Sequence, residues 1–242
     1  MMNAKTNQIG LLVCLGIVEA VLGTLIVGHF TNFGEMLEFI AILIFPIFLL
    51  FFAPKGFHKQ FQCVAFVFTL LADAGLVLNL YNNKVLSVAI FCLAQICYLT
   101  IILFYQRNSK IKILNLIIFV VIASTLESLA LLVLKANFDF LVFFTLLYLS
   151  LSLTNIIFSG INVKQNKFLF VGLILFLCCD LIIGFGSAGG YFDFSSIPFI
   201  HSILNAPFDI ATSFYILSQY FLFLSVFKIK SANQKELIIA VK

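Results

Sequence analysis

Charge is what this chain lacks. Only 10% of its 242 residues are Asp, Glu, Lys or Arg, while 63% are hydrophobic; soluble domains carry about one quarter charged residues. That shortage excludes an ordinary soluble domain and leaves an integral membrane protein. Cysteine chemistry is missing too. Cys14, Cys63, Cys92, Cys97, Cys178 and Cys179 form no C-x-x-C pair and fall inside apolar runs, so neither a disulfide framework nor a metal knuckle is expected. They read as small packing residues. No Walker motif, dinucleotide fingerprint or H-E-x-x-H occurs, so no cofactor and no metal is expected. The segment GFGSAGG misses the G-x-S-x-G nucleophile motif, because Phe185 stands where its first glycine belongs. Ser187, Asp193 and His201 are therefore expected in a flexible outer loop that caps the bundle. His29 and His58 are expected in short, solvated loops.

What the chain does have is long apolar runs. Spans of roughly 17 to 25 apolar residues cross the bilayer core, and eight can be read at about 9–28, 36–53, 61–82, 85–105, 113–134, 138–158, 168–186 and 210–227. The expected fold is one all-α transmembrane domain over 1–242. The stretch after MMNAKTNQ is too long for a signal-peptide core and reads as a retained first span. Lys5, Lys55, Lys59, Arg107, Lys110, Lys112, Lys164, Lys167, Lys228, Lys230, Lys235 and Lys242 fall on one side of this arrangement, twelve of the fourteen basic residues. Basic residues near span ends stay cytoplasmic, so both termini are expected on the cytoplasmic side of the cell membrane. Glu35, Glu38, Asp139, Asp193 and Asp209 gather on the other side. The net charge of +4 is thus a matter of topology, and it gives no support to a nucleic-acid partner.

Four acids remain within the spans: Glu19, Asp73, Glu127 and Asp180, all on odd-numbered helices. An ionisable residue at that depth is a functional-site hypothesis in its own right. Their spacing repeats. Glu19 to Asp73 is 54 residues and Glu127 to Asp180 is 53, and each half adds a glutamine in its fourth helix, Gln95 and Gln219. The pattern F-x-x-V-x8-D occurs from Phe61 to Asp73 and again from Phe168 to Asp180. These landmarks predict two four-helix repeats of the same orientation, about 9–105 and 113–227, related by an axis along the membrane normal.

In such a repeat Asp73 and Asp180 lie at matched depth, each twelve residues from the start of its span, about 18 Å along the helix. The two carboxyls would face each other, with Gln95 and Gln219 as hydrogen-bonding neighbours. Close carboxyls in low dielectric do not both ionise cheaply, so the pair is expected to share a proton. Glu19 and Glu127 either widen this polar chamber or bond to groups such as Ser124, Thr125 or Asn155. Tyr98, Tyr148 and Tyr215 can contribute hydroxyls, although packing is the commoner use of a membrane tyrosine. Tyr215 is favoured because it lies one turn before Gln219.

Five segments in order, LIFPIFLLFFA with Pro46, LLADAGLVL with Asp73, QICY with Tyr98, LFLCCDLI with Asp180 and SFYILSQ with Tyr215 and Gln219, resemble the YhhN/TMEM86 family of eight-helix membrane proteins. The resemblance runs from about Ile42 to Phe227. Characterised members are lysoplasmalogenases, so it implies a membrane hydrolase that cleaves the vinyl ether of a lysoplasmalogen-like lipid. Asp73 and Asp180 match the family's intramembrane aspartates, and Tyr215 and Gln219 match the tyrosine and glutamine of its last helix. The chain departs from the family at Gln95, where a histidine is usual, and at Leu43, where a lysine is usual. The Asn-basic-Phe segment after the second aspartate is replaced by IIGFGSAGGYFDF. The resemblance implies a catalytic pair of Asp73 and Asp180, with Gln95, Tyr98, Tyr215, Gln219, Glu19 and Glu127 in support. The many phenylalanines, 31 in all, offer an apolar lining for the lipid chain. A second expectation is a proton-coupled transporter or lipid-binding protein that uses the same acids without breaking a bond.

Overall fold

The computed structural model describes residues 2–27, 34–76, 78, 80, 83–106, 109–134, 139–161, 163–164, 166–187, 202 and 209–240. Among them are eight helices and no strand: α1 (Met2–Val27), α2 (Gly34–Phe52), α3 (Phe57–Leu76), α4 (Lys84–Tyr105), α5 (Ser109–Leu134), α6 (Phe140–Ile161), α7 (Lys167–Ser187) and α8 (Ile210–Ala240). Five contain stretches long and apolar enough to cross a membrane: Lys84–Tyr105, Lys112–Leu129, Phe140–Ile161, Lys167–Gly186 and Ile210–Phe227. α1 and α2 carry shorter apolar segments, Leu12–Ile26 and Phe39–Phe52.

Several helix ends differ from the expected spans: α1 starts at Met2 rather than about residue 9, and α3 and α5 each start four residues early. The third was expected to reach residue 82, yet α3 ends at Leu76, where Leu78 N–H donates to the Asp73 carbonyl and Leu80 N–H to that of Ala74. The residues there, LVLNLY, stay apolar through the turn, so hydropathy alone does not reveal it. At the other extreme, α8 continues from Phe227 to Ala240, where the sequence has become polar and no apolar stretch marks the helix.

Polar side chains are buried within an apolar core, and large apolar side chains cover the outside. Glu19, Gln62, Thr69, Asp73, Gln95 and Asn155 are buried, whereas Val13, Leu50, Phe51, Leu116 and Leu132 face outward. A large exposed apolar surface marks a membrane or partner contact. The acids and amides near the helix starts have local tasks. Asn83, Asp139, Asn166 and Asp209 cap α4, α6, α7 and α8 by accepting from the backbone N–H of Leu86, Val142, Leu169 and Thr212. These bonds satisfy helix donors that would otherwise be orphaned. Lys59 closes the end of α2 by donating to the carbonyls of Leu50, at 2.8 Å, and Ala53, at 3.2 Å.

α3 packs along α4, and α7 along α8. α4 also meets α6, and α8 meets α2, while α1 lies against α2 and α8 and α5 lies against α6. Glycine sets the closest approach. At Gly172 of α7 an added Cβ would stand 2.8 Å from Leu222 Cγ and 3.0 Å from the Leu222 backbone nitrogen. This contact draws together the two helices that carry Asp180 and Tyr215.

Candidate functional site

Asp73 occupies the last turn of α3, 5% exposed, and its carboxylate accepts a short hydrogen bond from the hydroxyl of Tyr215 on α8. Asp180, partly buried on α7, accepts a similar short bond from Tyr148 on α6. Each carboxyl therefore has its own tyrosine. Gln95, expected as a direct neighbour of Asp180, bonds to Tyr148 instead. Burial drives this choice, because a carboxylate away from water needs a hydrogen-bond donor and a phenol supplies one from an otherwise apolar ring.

Behind Tyr148 stands a relay of amides. Asn155 Nδ2 donates to Gln95 Oε1 and to the Gln95 carbonyl, each at 2.9 Å, and Gln95 Nε2 donates to the Tyr148 hydroxyl at 3.3 Å. Tyr148 then donates to Asp180. Every donor points the same way, toward the carboxylate, so the bonds polarise one another. Gln95 reaches Asp180 through this tyrosine.

An aromatic bridge links the two pairs. The ring of Tyr148 lies 5.9 Å from Phe91, Phe91 lies 6.1 Å from Phe176, and Phe176 lies 5.6 Å from Tyr215. Phe91 is one turn from Gln95 on α4 and Phe176 one turn from Asp180 on α7, so five helices meet here. Phe91 and Tyr215 hold corresponding places, each four residues before the glutamine of its helix. Phe91 has no hydroxyl to offer, and Tyr148 of α6 supplies the one that Asp180 uses.

The remaining residues fall differently. Gln219 is fully buried, but its Nε2 bonds to Ser218 at 3.3 Å and its Oε1 has no partner. Tyr98 is fully buried on α4 beside Gln62 and Thr69, outside the Asp180 relay. Glu19, only 3% exposed, lies on α1 with neither carboxyl oxygen bonded. Gly16 of its own helix faces the hydroxyl end of Tyr220, and Gly23 faces Ile216, so Glu19 stands level with the Ser218 and Gln219 turn of α8. Glu127 is partly buried on α5, which packs against α6. None of the groups proposed as its partners serves it. Ser124 and Thr125 bond to carbonyls of their own helix, and Asn155 is engaged by Gln95.

Three side chains stand apart from the expected site. Tyr148, one of three tyrosines able to contribute a hydroxyl, is the one that bonds to Asp180; Asn155, expected as a partner for a buried glutamate, bonds to Gln95; and His58 was expected in a solvated loop. His58 is instead buried in the first turn of α3, where its Nε2 lies 3.3 Å from Ser225 Oγ of α8 and its ring meets Tyr105. The stacking of Phe57 on Phe104, with centroids 4.0 Å apart, starts α3 early enough to pull His58 inside. The signal for Asn155 was present: an amide in mid-span has few partners except another amide. The loop residues 188–201, with Asp193 and His201, lie outside the described residues, as do the side chain of Ser187 and residue His29. Among the described residues no group of His, Cys, Asp and Glu is placed to hold a metal ion. The chain matches no protein-family profile, no curated protein and no solved structure.

Proposed function

We propose that the chain is an intramembrane hydrolase of ether-linked or enol-ether lysolipids, working through Asp73 and Asp180. One observation carries this reading: two carboxylates, each bound by a tyrosine hydroxyl from another helix, flank a buried aromatic bridge of Phe91 and Phe176. A vinyl ether needs a proton on carbon and then water on the resulting oxocarbenium ion. Asp73, the more enclosed acid, donates the proton to the alkene carbon that does not bear the ether oxygen. Asp180 faces the cation as a carboxylate and takes a proton from the attacking water. The hemiacetal so formed collapses to a fatty aldehyde and a glycerophospho-alcohol, so one water is consumed per bond cleaved. Tyr215 and Tyr148 hold the two carboxyls in place, and the apolar rings between them suit a hydrocarbon chain. The resemblance in the order of Pro46, Asp73, Tyr98, Asp180, Tyr215 and Gln219 points the same way.

The accompanying architecture is eight membrane-spanning helices in two like-oriented repeats, about 9–105 and 113–227, with both termini cytoplasmic. Matching pairs of helices support the repeat: α3 with α4 as α7 with α8, and α4 with α6 as α8 with α2. Lipid is both the surrounding phase and the substrate. Asp73→Asn and Asp180→Asn, purified in detergent, are each expected to lose aldehyde release from a lysoplasmalogen while keeping their helical circular dichroism. Full activity in either variant refutes the mechanism.

Glu19 favours a second reading. A buried carboxyl with no bonded oxygen fits a carrier that takes up protons during alternating access. Proton-gradient-driven uptake of a lysolipid into proteoliposomes, with no aldehyde formed, would select the transporter.

A further inference from the structure

Along α3 the polar residues His58, Gln62, Thr69 and Asp73 are separated by four, seven and four positions, so they share one helical face. All four are buried. The stripe covers about 22 Å at 1.5 Å per residue, from the end of the bundle where α2 joins α3 up to the Asp73 carboxyl. The helices packed against it bring more of the same. α4 contributes Tyr98, and α8 contributes Ser225 beside His58 and Tyr215 bonded to Asp73, each of them buried.

The seam is polar, enclosed and incompletely bonded. Gln62 lies beside both His58 and the Tyr98 hydroxyl. Even so, neither polar atom of the Gln62 side chain makes a direct hydrogen bond, nor does His58 Nδ1 or the Tyr98 hydroxyl. Orphaned polar atoms are rare singly, and a run of them inside hydrocarbon is costly at each unsatisfied group. Buried water, which bonds to about three such groups at a time, removes that cost.

We infer that a file of bound water runs through the α3, α4 and α8 seam, from His58 past Gln62, Tyr98 and Thr69 to the Asp73 and Tyr215 pair. Its ligand is water itself, held by an imidazole, an amide and two kinds of hydroxyl. The inference deepens the reading of Asp73 as a proton donor. After giving its proton to carbon, Asp73 is reprotonated through this file from the basic end of the bundle, and each proton accepted at one end is matched by one released at the other. The hydrolytic water arrives by the same route. A lipid entering from the bilayer side therefore does not block the supply.

X-ray hydroxyl-radical footprinting of the intact protein tests this without substrate. Radicals form in bound water and oxidise the side chains that touch it. Tyr98 and His58 should be modified at least tenfold faster than Phe45 and Phe66, which are equally enclosed but lie among apolar neighbours. Gln62→Leu should slow the modification of Tyr98 at least threefold. Should that variant fail to fold, Gln62→Met makes the same measurement. Tyr98 and His58 as inert as Phe66 would overturn the inference, and so would a Tyr98 rate unchanged by a folded Gln62 variant. A dry seam leaves the hydrolase reading to the aldehyde assay, and an inactive but water-filled protein refutes the hydrolase alone.

Discussion

Gly172→Ala should loosen the whole molecule through one methyl group. The new Cβ would lie 2.8 Å from Leu222 Cγ, 2.9 Å from Leu222 Cδ2 and 3.0 Å from the Leu222 backbone nitrogen. Unstrained contacts between heavy atoms begin near 3.5 Å, so the shortfall is about 0.5 to 0.7 Å. Rotating Leu222 would relieve the two side-chain contacts, but the backbone nitrogen can retreat only with α8. The helices must therefore separate by about half an ångström, and overpacking of this kind costs about 1 to 3 kcal/mol. Gly184→Ala is the control, since nothing lies within 4 Å of its added Cβ. On the same helix that substitution should be neutral, or slightly stabilising through helix propensity. Thermal unfolding in detergent should give Gly172→Ala a midpoint several degrees below wild type, with Gly184→Ala at or above it. The displacement also moves Phe176 away from Tyr215, so the unfolding loss should come with weaker turnover wherever an activity is measured. Equal midpoints for the two variants would refute the close-packed seam between α7 and α8.

Three other outcomes follow from named contacts. Tyr148→Phe removes the donor of Asp180 and the acceptor of Gln95 together, so it should destabilise the fold by about 2 to 3 kcal/mol, more than an isolated hydrogen bond; unfolding midpoints no lower than those of Tyr98→Phe would refute the relay. Glu19→Met replaces an unbonded carboxyl with an apolar chain of similar length and should leave the unfolding midpoint unchanged or raise it, whereas a clear drop would show that Glu19 has a partner in the folded protein. Asp209→Ala deletes the bonds to Thr212 N, at 3.0 Å, and Thr212 Oγ1, at 2.7 Å; it should cost about 1 kcal/mol, and hydrogen exchange should quicken in the first turn of α8.

The number of helices and most of their bounds could be read from the sequence because apolar length is a one-dimensional property. That Asp73 and Asp180 stand on helices could be read for the same reason, but not that α3 stops three residues after Asp73. Their partners could not. That Tyr148 rather than Gln95 bonds to Asp180 depends on where α6 crosses α7, and no spacing along the chain encodes that crossing. His58 was misplaced because its neighbours Lys59 and Gln60 look solvated, while the decisive contact, Phe57 on Phe104, joins residues 47 positions apart. The end of α3 was misjudged because apolar residues continue through the turn. The unbonded oxygens of Glu19 were invisible for a simpler reason: a sequence shows that an acid is present, never that its partner is missing.

The two tyrosines differ in when they are made. Tyr148 precedes Asp180 by 32 residues, so it is already in the membrane when Asp180 leaves the ribosome. Tyr215 follows Asp73 by 142 residues. Five more helices, α4 to α8, must therefore be synthesised after α3 before that donor exists. During synthesis Asp73 waits for its tyrosine until the final helix brings it, which makes α8 the latch of assembly. Messages truncated before residue 210 should yield polypeptides that insert but are recognised as unfinished and degraded, whereas co-expressing the missing helix as a separate fragment should rescue them.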